Sequence, residues 1–255
     1  MYTVPQRIQI LKFVGEQGIV SVADICRHLF QSDKFHTVRS TLYHLGVSHI
    51  RYNNIYGGLW YIENPKLYEL LASYYPNLAD FEVIPILGHL IPHYLGLNRI
   101  RSTFEFSKQI TIDEWWSEHY IRVLPAVLRM RECTPKIPDA IFWRKKQDGS
   151  RQKFFLEYER SLKNMTRYEE IFSSYSKRPE VHGRNVIYLC DTSKIREELL
   201  RIEARLAQTG RIDKAGECFQ FLTLENFYKN YENTSLQKQE GTNEINQTVV
   251  QSTSV

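Results

Sequence analysis

Pro138-Asp139-Ala140-Ile141-Phe142-Trp143 and, after a polar stretch from Arg144 to Lys153, Phe154-Phe155-Leu156-Glu157-Tyr158-Glu159-Arg160-Ser161-Leu162-Lys163 form the segment whose reading decides the fold. Two apolar runs enclose Asp148-Gly149, the pattern of a β-hairpin. Three carboxylates, Asp139, Glu157 and Glu159, stand inside those runs. Burying a charge there is costly unless it is paired or bound to a cation. Side chains two apart on a strand share a face, roughly 7 Å from one another. Phe155, Glu157 and Glu159 therefore face one way, and Phe154, Leu156 and Tyr158 the other. With Asp139 on the same side of its own strand, three carboxylates converge, an oxygen donor set that suits Mg²⁺ or Mn²⁺. The plainer alternative leaves Asp139 and Glu157 facing solvent, with Arg160 or Lys145 as partners.

Downstream, Thr166 to Ser176 reads as a helix. Val186-Ile187-Tyr188-Leu189-Cys190 is a continuous apolar run, as in a strand buried on both faces. A charged amphipathic helix follows from Ser193 to Thr209, then a last strand, Cys218 to Thr223, and a short helix from Leu224 to Tyr231. Upstream, residues 81 to 106 are apolar and helical in pattern, and Ile110-Thr111-Ile112 reads as a strand. Residues 125 to 135 read as loop or short helix. This order of elements gives a mixed sheet with helices on both faces, α+β or α/β in class.

The first 64 residues have a different organisation. Ile8, Ile10, Leu11, Phe13 and Val14 mark a helix closed by Gly15 and Gly18. Ser21 opens a second helix as its N-cap, with Asp24 at the third position, and the pattern continues to Phe30. A third helix covers Phe35 to Leu45, with Val38, Leu42 and Leu45 inward and His36, Thr37, Arg39, Ser40, Thr41, Tyr43 and His44 outward. Ile50-Arg51-Tyr52, a turn at Asn53-Asn54 and Gly57 to Ile62 read as a small hairpin. This is the order of a winged helix-turn-helix, whose third helix enters a DNA major groove. Thr37, Arg39, Ser40, Tyr43 and Arg51 are then the side chains aimed at double-stranded DNA. The alternative is a three-helix module that binds protein. Pro65 to Tyr75 is a connecting helix broken by Pro76-Asn77. The expected domains are 1–64 (winged helix-turn-helix), 65–80 (linker helix), 81–232 (sheet domain) and 233–255 (a disordered polar tail rich in Gln, Asn, Thr and Ser).

Composition narrows the function classes. Of 255 residues 42% are hydrophobic, enough for one large or two small cores. No apolar run reaches the length of a membrane span, and the first residues lack the layout of a signal peptide, so a cytoplasmic protein with no membrane insertion is expected. Cys26, Cys133, Cys190 and Cys218 are far apart, which argues against structural zinc or a disulfide framework. The net charge of +4 permits nucleic-acid binding. Residues 1–62 hold six basic and three acidic side chains, and Arg144, Lys145, Lys146, Arg151 and Lys153 form a second basic cluster.

Pro138-Asp139 followed by Glu157-Tyr158-Glu159 resembles the PD-(D/E)xK restriction-endonuclease-like superfamily. Taken with His93-Tyr94-Leu95-Gly96-Leu97-Asn98, Trp115-Trp116-Ser117-Glu118 and the N-terminal module, the chain resembles the MobC-type plasmid mobilisation relaxases and the related replication-relaxation group, over roughly residues 5 to 190. The resemblance implies a protein that recognises a plasmid transfer origin and nicks one strand with Mg²⁺ or Mn²⁺, alongside another mobilisation protein and a coupling protein. It implies metal-binding roles for Asp139, Glu157, Glu159 and Glu118, with His93 and Asn98 as further site residues. Most of the superfamily has lysine where Glu159 stands; Lys163, four residues on, is the candidate replacement. His93 is a candidate general base or phosphate contact. Many relaxases attack with a tyrosine, but no clustered histidine triad accompanies the 16 tyrosines here, which favours a metal-assisted water. Two alternatives remain open: a non-catalytic DNA-binding regulator or accessory protein of plasmid transfer or replication, and a nuclease of a restriction or defence system.

Overall fold

The structure is a computed structural model and describes residues 2–52, 55, 57–75, 88–107, 111–124, 129, 131–132, 136–146, 148–212 and 216–231. The Asn53-Asn54 turn, the Pro76-Asn77 break, most of 125–135 and the tail 233–255 lie outside the described residues.

The chain starts with α1 (Val4–Gln17), capped by a Thr3–Gln6 capping box. β1 (Val20–Ser21) leads into α2 (Val22–Ile25), where the Ser21 side chain accepts from the Asp24 amide and Asp24 accepts back from Ser21. The expected continuation to Phe30 is present, but as a π-helical turn, Cys26–Phe30. α3 (Phe35–His44) follows, then β2 (Ser48–Ile50) and β3 (Leu59–Tyr61). The three strands form an antiparallel sheet with β3 in the middle. Thr41, expected on the outer face of α3, is buried and its hydroxyl donates to the Thr37 carbonyl at 2.8 Å. One helical turn separates them, so the hydroxyl satisfies itself on its own helix instead of meeting solvent. α4 (Pro65–Tyr74) closes this part, packing Leu67, Tyr68 and Leu71 onto the core made by Ile10, Leu11, Val14, Val38, Leu42 and Trp60.

The second part is built on a five-stranded mixed sheet. Its strands are β4 (Ile112–Ser117), β5 (Ala140–Lys145), β6 (Arg151–Glu159), β7 (Val186–Cys190) and β8 (Phe219–Thr223), in that spatial order. β4, β5 and β6 pair antiparallel, while β6, β7 and β8 pair parallel. The first strand lies further along the chain than its sequence suggests. β4 includes Trp115 and Trp116 because those rings pack on β5: Trp115 stacks on Phe142 at 5.6 Å and Trp116 meets Trp143 edge-on at 4.8 Å. Every residue of β7 is buried, as its apolar run requires when both faces are covered.

Helices cover the two faces. α5 (Ile91–Phe106) and the helix 224–231 bury Leu97, Ile100, Phe104 and Phe227 against Ala140, Phe142, Leu156 and Ile187. α6 (Glu118–Val123), α7 (Met165–Ser176) and α8 (Ser193–Gln208) cover the opposite face, where Ile121, Phe172, Tyr175 and Leu199 meet Phe155, Tyr188 and Phe219. Mixed α+β architecture with a five-stranded sheet is thus the fold. No helix among the described residues is long and apolar enough to cross a membrane.

The two parts interlock. Ile19 and Leu59 share a buried cluster with Ile91 and Tyr94 of α5. The Asn98 amide donates to the Ile19 carbonyl at 2.8 Å. Ser117 donates to the Glu16 carbonyl at the end of α1. His28 lies between Ser102 and Glu105 of α5, and Arg101 holds the other Glu105 oxygen at 2.7 Å.

Candidate metal centre in a basic cleft

Strand register puts Asp139 at the centre of the site. Ser117 pairs with Ala140, so Glu118, one residue on, lies beside Asp139. Ala140 in turn pairs with Leu156, so Glu157 lies across from Asp139 on the other side. Backbone hydrogen bonds fix both neighbours: the Glu118 amide donates to the Asp139 carbonyl at 2.8 Å, and the Tyr158 amide donates to Asp139 Oδ2 at 2.6 Å. Glu118 opens α6, where Ser117 is the N-cap and accepts from the Tyr120 amide at 3.1 Å. A carboxylate in the first turn is favoured there by the helix dipole.

His93 comes from the first turn of α5. Its Nε2 lies 3.4 Å from Asp139 Oδ1 and 4.0 Å from Glu118 Oε2. One donor atom from each of His93, Glu118 and Asp139 falls within 4.8 Å of the others, a spacing one metal ion can span. The imidazole stacks on the Tyr158 ring at 5.4 Å and 14°. Tyr158 is itself tied by its hydroxyl to Asp191 at 2.8 Å. Gly96 makes this stack possible, since a Cβ there would lie 2.3 Å from Tyr158 Cε1.

Glu157 and Glu159 share a face, as the two-residue period requires, but that face is interior. Glu157 is 2% exposed; Oε1 accepts from the Tyr175 hydroxyl at 2.6 Å and Oε2 from the Lys136 ammonium. Glu159 is 4% exposed, and both of its oxygens accept from Lys163 at 2.5 Å. The chain leaves β6 at Glu159 and turns back, which returns Lys163 to the strand end. Neither Arg160 nor Lys145 serves as the partner of Asp139 or Glu157; Arg160 lies toward Asp191 at 3.9 Å. Asn98 does not join the group, because its amide is spent on Ile19.

Electrostatics follow from this packing. Burial opposes a charge on His93, but the hydrogen bond and charge of Asp139, aided by Glu118, outweigh it and hold its pKa above the ordinary value. Burial likewise opposes charge on Asp139, and His93, Lys136 and the Tyr158 amide overcome it, keeping the carboxyl below its usual range. Glu157 is raised: burial dominates over the attraction of Lys136. His93, Glu118 and Asp139 all line a cleft of about 600 Å³, together with Glu159 and the cations Arg122, Lys136, Arg160, Lys163 and Arg167. Lys136, Tyr158 and Arg122 were not legible as site residues; Lys136 stands in a segment with no strand or helix periodicity.

The residues aimed at DNA lie on the three-stranded part. Tyr43 and Arg51 are exposed, while Thr37, Arg39 and Ser40 are half-buried. The Arg39 guanidinium lies over the Tyr43 ring at 5.6 Å, and the Tyr43 hydroxyl bonds His49 at 3.1 Å, beside the buried Trp60.

No family model matches the chain, and neither a curated protein nor a solved structure matches it.

Proposed function

We propose that this protein is a metal-dependent DNA-nicking enzyme of the plasmid-mobilisation relaxase kind, which binds double-stranded DNA through residues 1–64 and cuts one strand in the cleft around Asp139. The convergence of His93, Glu118 and Asp139 within 4.8 Å, in a cleft that five cations also line, carries this reading. A phosphodiester is an anion, and a cleft lined by cations raises its local concentration. One imidazole nitrogen and two carboxylate oxygens fit a first-row divalent ion such as Mn²⁺, and fit Mg²⁺ less closely. A bound ion would supply charge neutralisation and an acidified water. His93, now between two carboxylates, would give up its proton to serve as a ligand, so binding would weaken as pH falls. Arg122 and Lys163, on leaving Glu118 and Glu159, and Arg160 would hold the scissile phosphate.

Helix, helix, helix and hairpin, with β1 as a third strand, supports a winged helix-turn-helix reading of residues 1–64. The recognised DNA would be a plasmid transfer origin, with a second mobilisation protein and a coupling protein as partners. The test is conversion of supercoiled plasmid carrying a candidate origin to nicked circles with Mn²⁺ or Mg²⁺. Asp139→Asn and Glu118→Gln should abolish nicking; parental rates in both variants would refute the site.

One observation favours a second reading, a DNA-binding protein without cleavage. Lys136 and Lys163 already neutralise Glu157 and Glu159, so the inner carboxylates are stable with no metal. That reading requires salt-sensitive DNA binding and no nicks with any divalent ion.

A further inference from the structure

Three carboxylates, Asp139 just before β5 and Glu157 and Glu159 on β6, crowd the sheet end beside the cleft, and two lysines are already seated on the β6 pair. Lys136 reaches in from the segment before β5 and bonds Glu157 Oε2, and it also feels the charges of Asp139 and Glu159. Its side chain is only 18% exposed. Tyr175 holds the other oxygen of Glu157, so that carboxylate is fixed in place and shared between one hydroxyl and one ammonium. Lys163 neutralises Glu159. Asp139 bonds neither lysine: Oδ2 accepts from the Tyr158 amide and Oδ1 faces His93.

We propose that the Lys136 ammonium occupies a second cation position, on the Glu157 carboxylate that strand register sets across from Asp139, so that the protein takes a single divalent ion at His93, Glu118 and Asp139 and admits another only when Lys136 is removed. An ammonium and a hard divalent ion compete for the same carboxylate oxygens, and the tethered lysine has the advantage of its high local concentration. The single-ion count rests on the metal reading above; the position of Lys136 does not.

The experiment is Mn²⁺ titration of the full chain, read by the electron paramagnetic resonance of free Mn²⁺, for the parent, Lys136→Met, Lys136→Arg and His93→Ala. The expected stoichiometries are one ion for the parent, two for Lys136→Met, one for Lys136→Arg and none for His93→Ala. One ion in both the parent and Lys136→Met overturns the Lys136 inference and leaves the metal reading standing, as does a parent that already binds two. A parent that binds none overturns the metal reading; Lys136→Met then decides the inference alone, one ion supporting it and none overturning it. Lys136→Met leaves Glu157 without its counter-ion and will be less stable. A thermal-shift series therefore accompanies the titration: Mn²⁺ should raise the melting temperature of Lys136→Met more than that of the parent, and equal shifts overturn the inference.

Discussion

Gly96→Ala should destabilise the protein and disturb the site, although alanine is the better helix former. Gly96 lies inside α5, where Ala in place of Gly would ordinarily stabilise the helix by about 1 kcal/mol. Here the new Cβ would stand 2.3 Å from Tyr158 Cε1, 2.9 Å from Cζ and 3.0 Å from the hydroxyl oxygen. The ring cannot swing away freely, because Asp191 holds its hydroxyl and His93 stacks on its face. Overpacking of this kind costs roughly 1–3 kcal/mol, so the clash exceeds the propensity gain and a net loss of about 1 kcal/mol remains. At a urea dependence of about 2–3 kcal/mol per molar, the unfolding midpoint should fall by some tenths of a molar. A retreat of the Tyr158 ring takes it from under His93, so metal-supported nicking should fall with stability. In a Tyr158→Val background, itself less stable than the parent because a buried ring is lost, Gly96→Ala should cause no further loss, since the ring it meets is gone. A Gly96→Ala protein as stable as the parent, or more so, would show that α5 does not approach β6 this closely.

Acid should destabilise the fold in two windows. Burial, with help from Arg122, pushes His119 down to about 4 from 6.5. The folded state therefore favours neutral His119, and the stability this gives, about 3 kcal/mol, is complete above pH 6.5 and lost as pH falls toward 4. Glu105 is held at about 2: burial opposes its charge, but His28 and Arg101 more than compensate. Its contribution, also about 3 kcal/mol, is complete above pH 4.5 and lost toward pH 2. Melting temperatures across pH should show both falls, and His119→Gln should flatten the first alone; parallel curves for variant and parent would exclude His119 as the cause. Asn98→Ala strands a buried carbonyl and should cost about 1–3 kcal/mol in urea unfolding, with nicking by the folded fraction intact; unchanged stability with lost nicking would return Asn98 to the site. Arg51→Ala should weaken DNA binding and lower the slope of log affinity against log salt by about 1 in an anisotropy series, and an unchanged slope would place Arg51 away from the phosphates.

Much of the scaffold was legible because its determinants are local. The capping box of Ser21 and Asp24, the apolar run of β7 and the turn at Asp148-Gly149 act over two to four residues, and each stands where its pattern puts it. The shared face of Glu157 and Glu159 was equally determined, because strand side chains alternate. Whether that face met solvent, metal or core was not, since α7 brings Tyr175 from elsewhere in the chain. β4 was misplaced for a related reason: the tryptophans belong to the strand only because β5 offers Phe142 and Trp143 to pack against.

The sequence by itself determined strands β5 to β8, most helices and the acidic character of the sheet end. The tertiary structure alone decided which donors meet. His93, Glu118 and Asp139 stand on three separate elements, and no sequence period relates them. Two strand registers, one helix N-cap and the missing Cβ of Gly96 bring them together, while Lys136, in a segment without periodicity, reaches Glu157 first.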